Sequence, residues 1–195
     1  MASFKAPFGI CGEPNPRGIP EVAFIDDVEA FVKNAKKEKP DVTTEELIKA
    51  FNTLYSKYKL MEVHVIKNKG QMKRKIPDIK ATLEMVRLLI EKKKKGEEMF
   101  TKFALADNVY SDAQVTTDGT VCLWLGANVM LEFSYDEAEE LLTKNLEQAK
   151  IKLSEYVADL DFLKDQITTA EVSMARVYNH DVKVRKAERE NAAKA

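Results

Sequence analysis

From Leu47 onward, apolar residues recur at steps of four and three through Phe51, Leu54, Tyr58, Met61 and Val65, with Asn68 and Met72 keeping the register. A second run does the same without a break, through Leu142, Leu146, Ala149, Leu153, Tyr156, Leu160, Leu163, Ile167, Ala170, Met174 and Val177. Such alternation averages 3.5 residues and keeps one stripe of a helix turned toward a partner, so both runs read as coiled-coil seams. The composition agrees. Of 195 residues 32% are charged, with only 7 Gly and 6 Pro, as in long solvated helices. The step from Met72 to Ile76 is a second four in a row, a stutter that locally unwinds a supercoil, and Pro77 predicts a bend there. Ile79, Leu83, Val86 and Ile90 then resume the pattern.

Both helices carry start signals. Thr43 and Glu46 form a capping box just after Pro40, and Ser134 and Glu137 form another. Lys92 to Lys95 followed by Gly96 read as a helix end, with cations favoured by the dipole and glycine for the left-handed cap, although the pattern could run on to about Phe103. The spacing therefore predicts helices over about 42–100 and about 134–190, folded back on each other as an antiparallel pair.

Between them the period changes. Over 103–134 the chain packs Val121, Cys122, Leu123, Trp124 and Leu125 into one apolar run, turns at Gly126-Ala127-Asn128, and alternates through Val129, Leu131 and Phe133. Asp118-Gly119 is a hairpin-turn signal, and the stretch accommodates up to four short strands in two β-hairpins. A few short strands with open edges and apolar residues on both faces cannot hide Trp124 by themselves. They call for other chains, so Val121, Leu123, Trp124, Leu125, Val129, Leu131 and Phe133 are the candidate assembly residues.

Residues 1–40 read as a flexible leader. Pro7, Pro14, Pro16 and Pro20 with Gly9, Gly12 and Gly18 cannot hold a helix and have little to bury. "EVAFIDDVEAFV" fits a short amphipathic segment, "KNAKKEKP" a linker, and 183–195 a frayed tail.

Several functions are disfavoured on the same grounds. With 31 basic and 32 acidic residues the chain has no field to draw nucleic acid or an anionic membrane. The runs at 73–75 and 92–95 have acidic neighbours and no interleaved aromatics, the pattern of solvated helix faces. No secretory pattern or apolar span is present, and Cys11 and Cys122 have no disulfide or metal-ligand spacing, so a soluble protein of the reducing cytosol is expected. No nucleotide-binding, serine-hydrolase or zinc-protease motif occurs, and His64 and His180 alone leave most of a metal shell empty. The expectation is a non-enzyme without a cofactor. Phe51, Tyr55 and Tyr58, with Met174, Val177 and Tyr178 on the returning helix, have two readings: they zip the helices together, or they leave an apolar edge open to a non-native polypeptide.

Long helix, two hairpins, long helix is an order that resembles the α-class prefoldin subunits. The strings "DNVYSDAQV", "VCLWLGANVMLE", "DEAEELL", "DFLKDQITT" and "MARVYN" are similar to that family, as is "GIPEVAFIDDVEAF" near the start. The resemblance covers nearly everything from Gly18 to Asp181 and makes 41–182 the prefoldin domain. It implies a mainly α protein with a small β part, in which a long antiparallel two-helix coiled coil carries two central hairpins that pair into an intersubunit β-barrel. The partners it implies are one further α-class and four β-class subunits, unfolded actin and tubulin, and the cytosolic chaperonin. Client capture would be independent of ATP, in the cytoplasm, with the nucleus left open as a second compartment. The competing reading is a structural coiled-coil scaffold or tether, which has no need of the strands.

Overall fold

The computed structural model describes residues 7–192. Two helices dominate it, α2 over Thr44–Lys95 and α3 over Tyr135–Ala192, preceded by strands β1 (Cys11–Pro14) and β2 (Pro20–Val22) and helix α1 (Val28–Glu38). Four strands lie between the long helices: β3 (Met99–Ala106), β4 (Val109–Val115), β5 (Thr120–Gly126) and β6 (Val129–Ser134). The chain divides into two units, one holding Asn68–Glu155 and the other the segments on either side of it.

In the second of these units Leu47, Phe51, Leu54 and Tyr58 of α2 pack against Leu163, Ile167, Ala170 and Val177 of α3, all seam positions read from the sequence. The same core contains Ile10, Val22, Ile25 and Ala35. The expectation of a flexible leader is therefore corrected over residues 7–38; residues 1–6 lie outside the described residues. Pro and Gly exclude helix but suit an extended strand and a turn, and the apolar partner that the segment lacks in itself is provided by the helix pair. β1 and β2 pair antiparallel, with Cys11 opposite Val22 and Pro14 opposite Pro20. Their connection is closed by Asn15, whose side-chain oxygen accepts the N–H of Arg17 at 3.1 Å and of Ile19 at 2.8 Å. Asp27 caps α1 by accepting the Ala30 N–H at 3.0 Å. The helix continues through the lysines expected as a linker because Ala35 points into the core while they stay in water.

α2 begins where the capping box places it, with the Glu46 N–H donating to Thr43 Oγ1 at 3.2 Å. Pro77 sits inside α2, which continues through it as one helix. At its end Gly96 is left-handed at φ +66, Gly96 N donates to Lys93 O at 3.1 Å and Glu97 N to Lys92 O at 3.0 Å. This is a Schellman cap. α3 opens on a complete capping box: Ser134 N donates to Glu137 Oε2 at 3.1 Å, and Glu137 N returns a bond to Ser134 Oγ at 3.4 Å.

The unit of Asn68–Glu155 has its own core of Leu83, Val86, Ala138 and Leu142, against which Val121, Leu123 and Phe133 pack. Its strands form two separate antiparallel hairpins, β3 with β4 and β5 with β6. The first strand starts at Met99, four residues before the expected limit of 103. The hairpins turn at Asn108, φ +64, and at Ala127 and Asn128, φ +49 and +64. Asp118-Gly119, expected as a hairpin turn, joins β4 to β5 without pairing them. Its carbonyls are engaged elsewhere: the Lys93 ammonium donates to Asp118 O at 3.4 Å, and Tyr135 N to Gly119 O at 3.0 Å. The corner is fastened to helix ends instead of closing a ladder.

Candidate assembly and client-binding surfaces

The β5–β6 register sorts the candidate assembly residues by face. Val121 lies opposite Phe133 and Leu123 opposite Leu131, while Trp124 lies opposite Met130 and Cys122 opposite Glu132. Strand side chains alternate between faces, so the first two pairs share one face and the others point away. Val121, Leu123 and Phe133 are half-buried on the helical core, and Leu131 on the same face is exposed. The opposite face exposes Trp124 at 59% and Met130 at 56%. Leu125 and Val129, at the turn, are exposed as well.

The hairpin β3–β4 is barer still. Phe100, Phe103, Leu105, Val109 and Tyr110 are all more than half exposed, from 52% to 70%, and none belongs to a core. Sequence reasoning names none of these five as assembly residues. The alternation of Phe103 and Leu105 was the available signal, but the run 97–103 also continues the helical pattern, and that competition hid it. A two-stranded ribbon is marginal in water, and apolar faces of this extent on a small hairpin mark an interaction surface.

The candidate client residues separate in the same way. Phe51, Tyr58 and Val177 are each 0% exposed and pack in the core, so in this structure they present no open apolar edge. A two-helix seam leaves one side of such rings uncovered, and the segment of Ile10 to Ala35 lies over it. Phe31 sits 6.1 Å from Phe51 between ring centres. Burial raises the Tyr58 phenol above its usual range, with the neighbouring Cys11 thiol adding to the effect. Tyr55 and Met174 are half-buried against the core, and Tyr178 is exposed at 57%. A hydrogen bond with Glu171 holds the Tyr55 phenol above its ordinary value.

The sequence reading also passes over three polar residues of α3. Asp159, Gln166 and Ser173 are buried at 7%, 6% and 0%, and they stand seven residues apart, each just before a seam residue. The seven-residue spacing, visible in the sequence, puts them on one face. Arg17 pairs with Asp159 through its Nε, and Val22 N donates to Gln166 Oε1 at 2.7 Å. Among the described residues no three His, Cys, Asp or Glu side chains gather as a metal site, and no helix is long and apolar enough to cross a membrane.

With hairpins left uncovered between two long helices, comparison with known proteins becomes decisive. The profile described as "Prefoldin: Prefoldin subunit" matches residues 58–180. The chain belongs to the prefoldin family. It is 49% identical over 168 residues to "Prefoldin subunit 3" of Mus musculus, covering 86% of this chain and 84% of that one. The Homo sapiens protein of the same name is 49% identical over 168 residues, 86% of this chain and 83% of that one. The Drosophila melanogaster protein is 41% identical over 170 residues, 87% of this chain and 84% of that one. The strings noted above resemble subunit 3 in particular, and these relatives bear that name. Membership carries a co-chaperone role, rather than an enzymatic one, and assembly with other prefoldin subunits.

Proposed function

We propose that this chain is one of two α-class subunits in a heterohexamer with four β-class subunits, and that β3 to β6 join strands of its neighbours in a shared barrel. The observation that carries this reading is the pair of hairpins whose apolar faces and strand edges stay uncovered within one chain. The helices form a coiled-coil arm that holds unfolded polypeptide of the actin and tubulin class and passes it to the cytosolic chaperonin. No nucleotide-binding motif lies in the sequence, so capture runs at the same rate with and without ATP. Tyr55, Met174 and Tyr178 are the client-facing residues at the arm, methionine adding adaptability to the surface. The site of action is the cytoplasm, with no role for nucleic acid or membrane.

The test is co-expression with a full set of α- and β-class partners. Native mass spectrometry is expected to return a hexamer containing this chain. Trp124→Asp is the informative variant, because Trp124 points away from the chain's own core whereas Leu123 packs on it. An unpaired charge buried in the barrel costs several kcal/mol, about 3–5, so incorporation is expected to fail while far-UV helicity persists. Normal incorporation of Trp124→Asp would overturn the barrel reading and leave a scaffold.

A further inference from the structure

Three polar side chains of α2 and α3 reach residues 20–26, and each grips the main chain there. The Tyr58 hydroxyl donates to Pro20 O at 2.8 Å, Gln166 Oε1 accepts the Val22 N–H at 2.7 Å, and Arg176 Nη2 donates to Asp26 O at 3.2 Å. Between these anchors Pro20, Val22 and Ile25 are buried, while Glu21 faces water and Phe24 lies outside at 52% exposure beneath the Arg176 guanidinium. Particular side chains are addressed by the Arg17–Asp159 ion pair and by the Arg176 guanidinium over the Phe24 ring, both toward the outside of the segment. Main-chain groups are the same in every polypeptide, and pockets filled by Pro, Val and Ile ask only for apolar residues of moderate size. The groove is therefore built to read an extended apolar stretch as a class. Ser173, on the same face of α3 as Asp159 and Gln166, has a fully buried hydroxyl with no hydrogen-bond partner among the described residues, a polar group the chain's own segment leaves unused.

We propose that the groove between residues 47–58 of α2 and 159–177 of α3 is a binding site for extended apolar polypeptide, occupied here by residues 19–26 as an intramolecular stand-in. The proposal rests on client capture by this arm, as argued above, and adds where the client lies and what must move first. A tethered segment competes at an effective concentration in the millimolar range. A client displaces it when its own hold is multivalent, or when the segment is loosened.

The experiment uses the assembled complex with Ile25→Asp, a change on the segment that leaves every groove residue in place. The probe is a fluorescein-labelled peptide with the sequence of residues 18–27. The Val22 amide is expected to lose hydrogen-exchange protection, and the peptide to bind at least tenfold more tightly than to the unmodified complex, whereas a peptide carrying Ile25→Asp binds neither. Arg17→Ala, which removes only the outer ion pair, serves as a milder opening, with a two- to fivefold gain expected. An exposed Val22 amide with no gain in peptide affinity in either variant would overturn the proposal. Retention of unfolded actin separates it from the client reading: if Tyr178→Ala weakens retention while the peptide does not bind, the arm captures clients elsewhere and the groove assignment is wrong. If the peptide binds but neither Tyr178→Ala nor Ile25→Asp alters retention, the groove stands and client capture by this arm is wrong.

Discussion

Tyr58 shows how much one side chain can join. Its ring fills the seam between α2 and α3, and its hydroxyl, fully buried, bonds the Pro20 carbonyl. Tyr58→Phe keeps the ring and leaves that carbonyl without its donor, at a cost of about 1–2 kcal/mol. The loss is expected in chemical denaturation of the unit containing Tyr58, with earlier hydrogen exchange at residues 20–25. Glu137 illustrates a different coupling. The Ser134 hydroxyl, and then its backbone N–H, hold the Glu137 carboxyl below its ordinary value of 4.5. A carboxyl depressed on folding stabilises the folded state at pH above its unfolded value, and that contribution is lost as pH falls through the lower folded value. NMR titration is expected to find the Glu137 midpoint below 4.5 in the unmodified chain and displaced upward in Ser134→Ala. An unchanged midpoint would show that the box does not act on the carboxyl.

Turns and caps decide the elements, and one turn residue sits uneasily. Ala127 adopts φ +49 at the β5–β6 corner, in a region that costs an L residue about 1–2 kcal/mol. Ala127→Gly relieves that cost and is expected to raise the thermal midpoint of the hairpin's unit; a lower midpoint would mean the side chain contributes more than the strain. The elements also show what a sequence reveals. The long helices, both capping boxes and the Gly96 cap were legible because each is encoded by residues within a few positions of one another. Phe51, Leu54, Leu163 and Val177 were legible as seam for the same reason. Residues 10–25 were not, since what buries Ile10 and Val22 is a groove whose far wall is more than a hundred positions away. Asp118-Gly119 misled because a turn dipeptide specifies a local angle, not which strands then pair.

At the scale of the molecule, the two cores share no residue, and the β5–β6 hairpin packs on one while residues of the 10–35 segment belong to the other. With no core residue in common, substitutions in the two are expected to act independently. Trp124→Asp is thus expected to leave exchange protection at Val22 unchanged, and Ile25→Asp to leave hexamer formation unchanged; either cross-effect, read by exchange or native mass spectrometry, would show that the cores are coupled.

Pro77 gives α2 a point of vulnerability to proteases. A proline has no N–H, so the carbonyl of Lys73, one turn earlier, goes without its helical donor. Lys73, Arg74 and Lys75 are all exposed, and from Lys59 to Thr82 no residue of α2 is buried. Cleavage requires a helix to open locally, and opening is easiest where a main-chain bond is missing and nothing packed must be undone. Trypsin added briefly to the native protein should therefore cut first within 73–75, three scissile bonds beside the one turn that cannot close its own ladder, and Pro77→Ala should slow that cut several-fold.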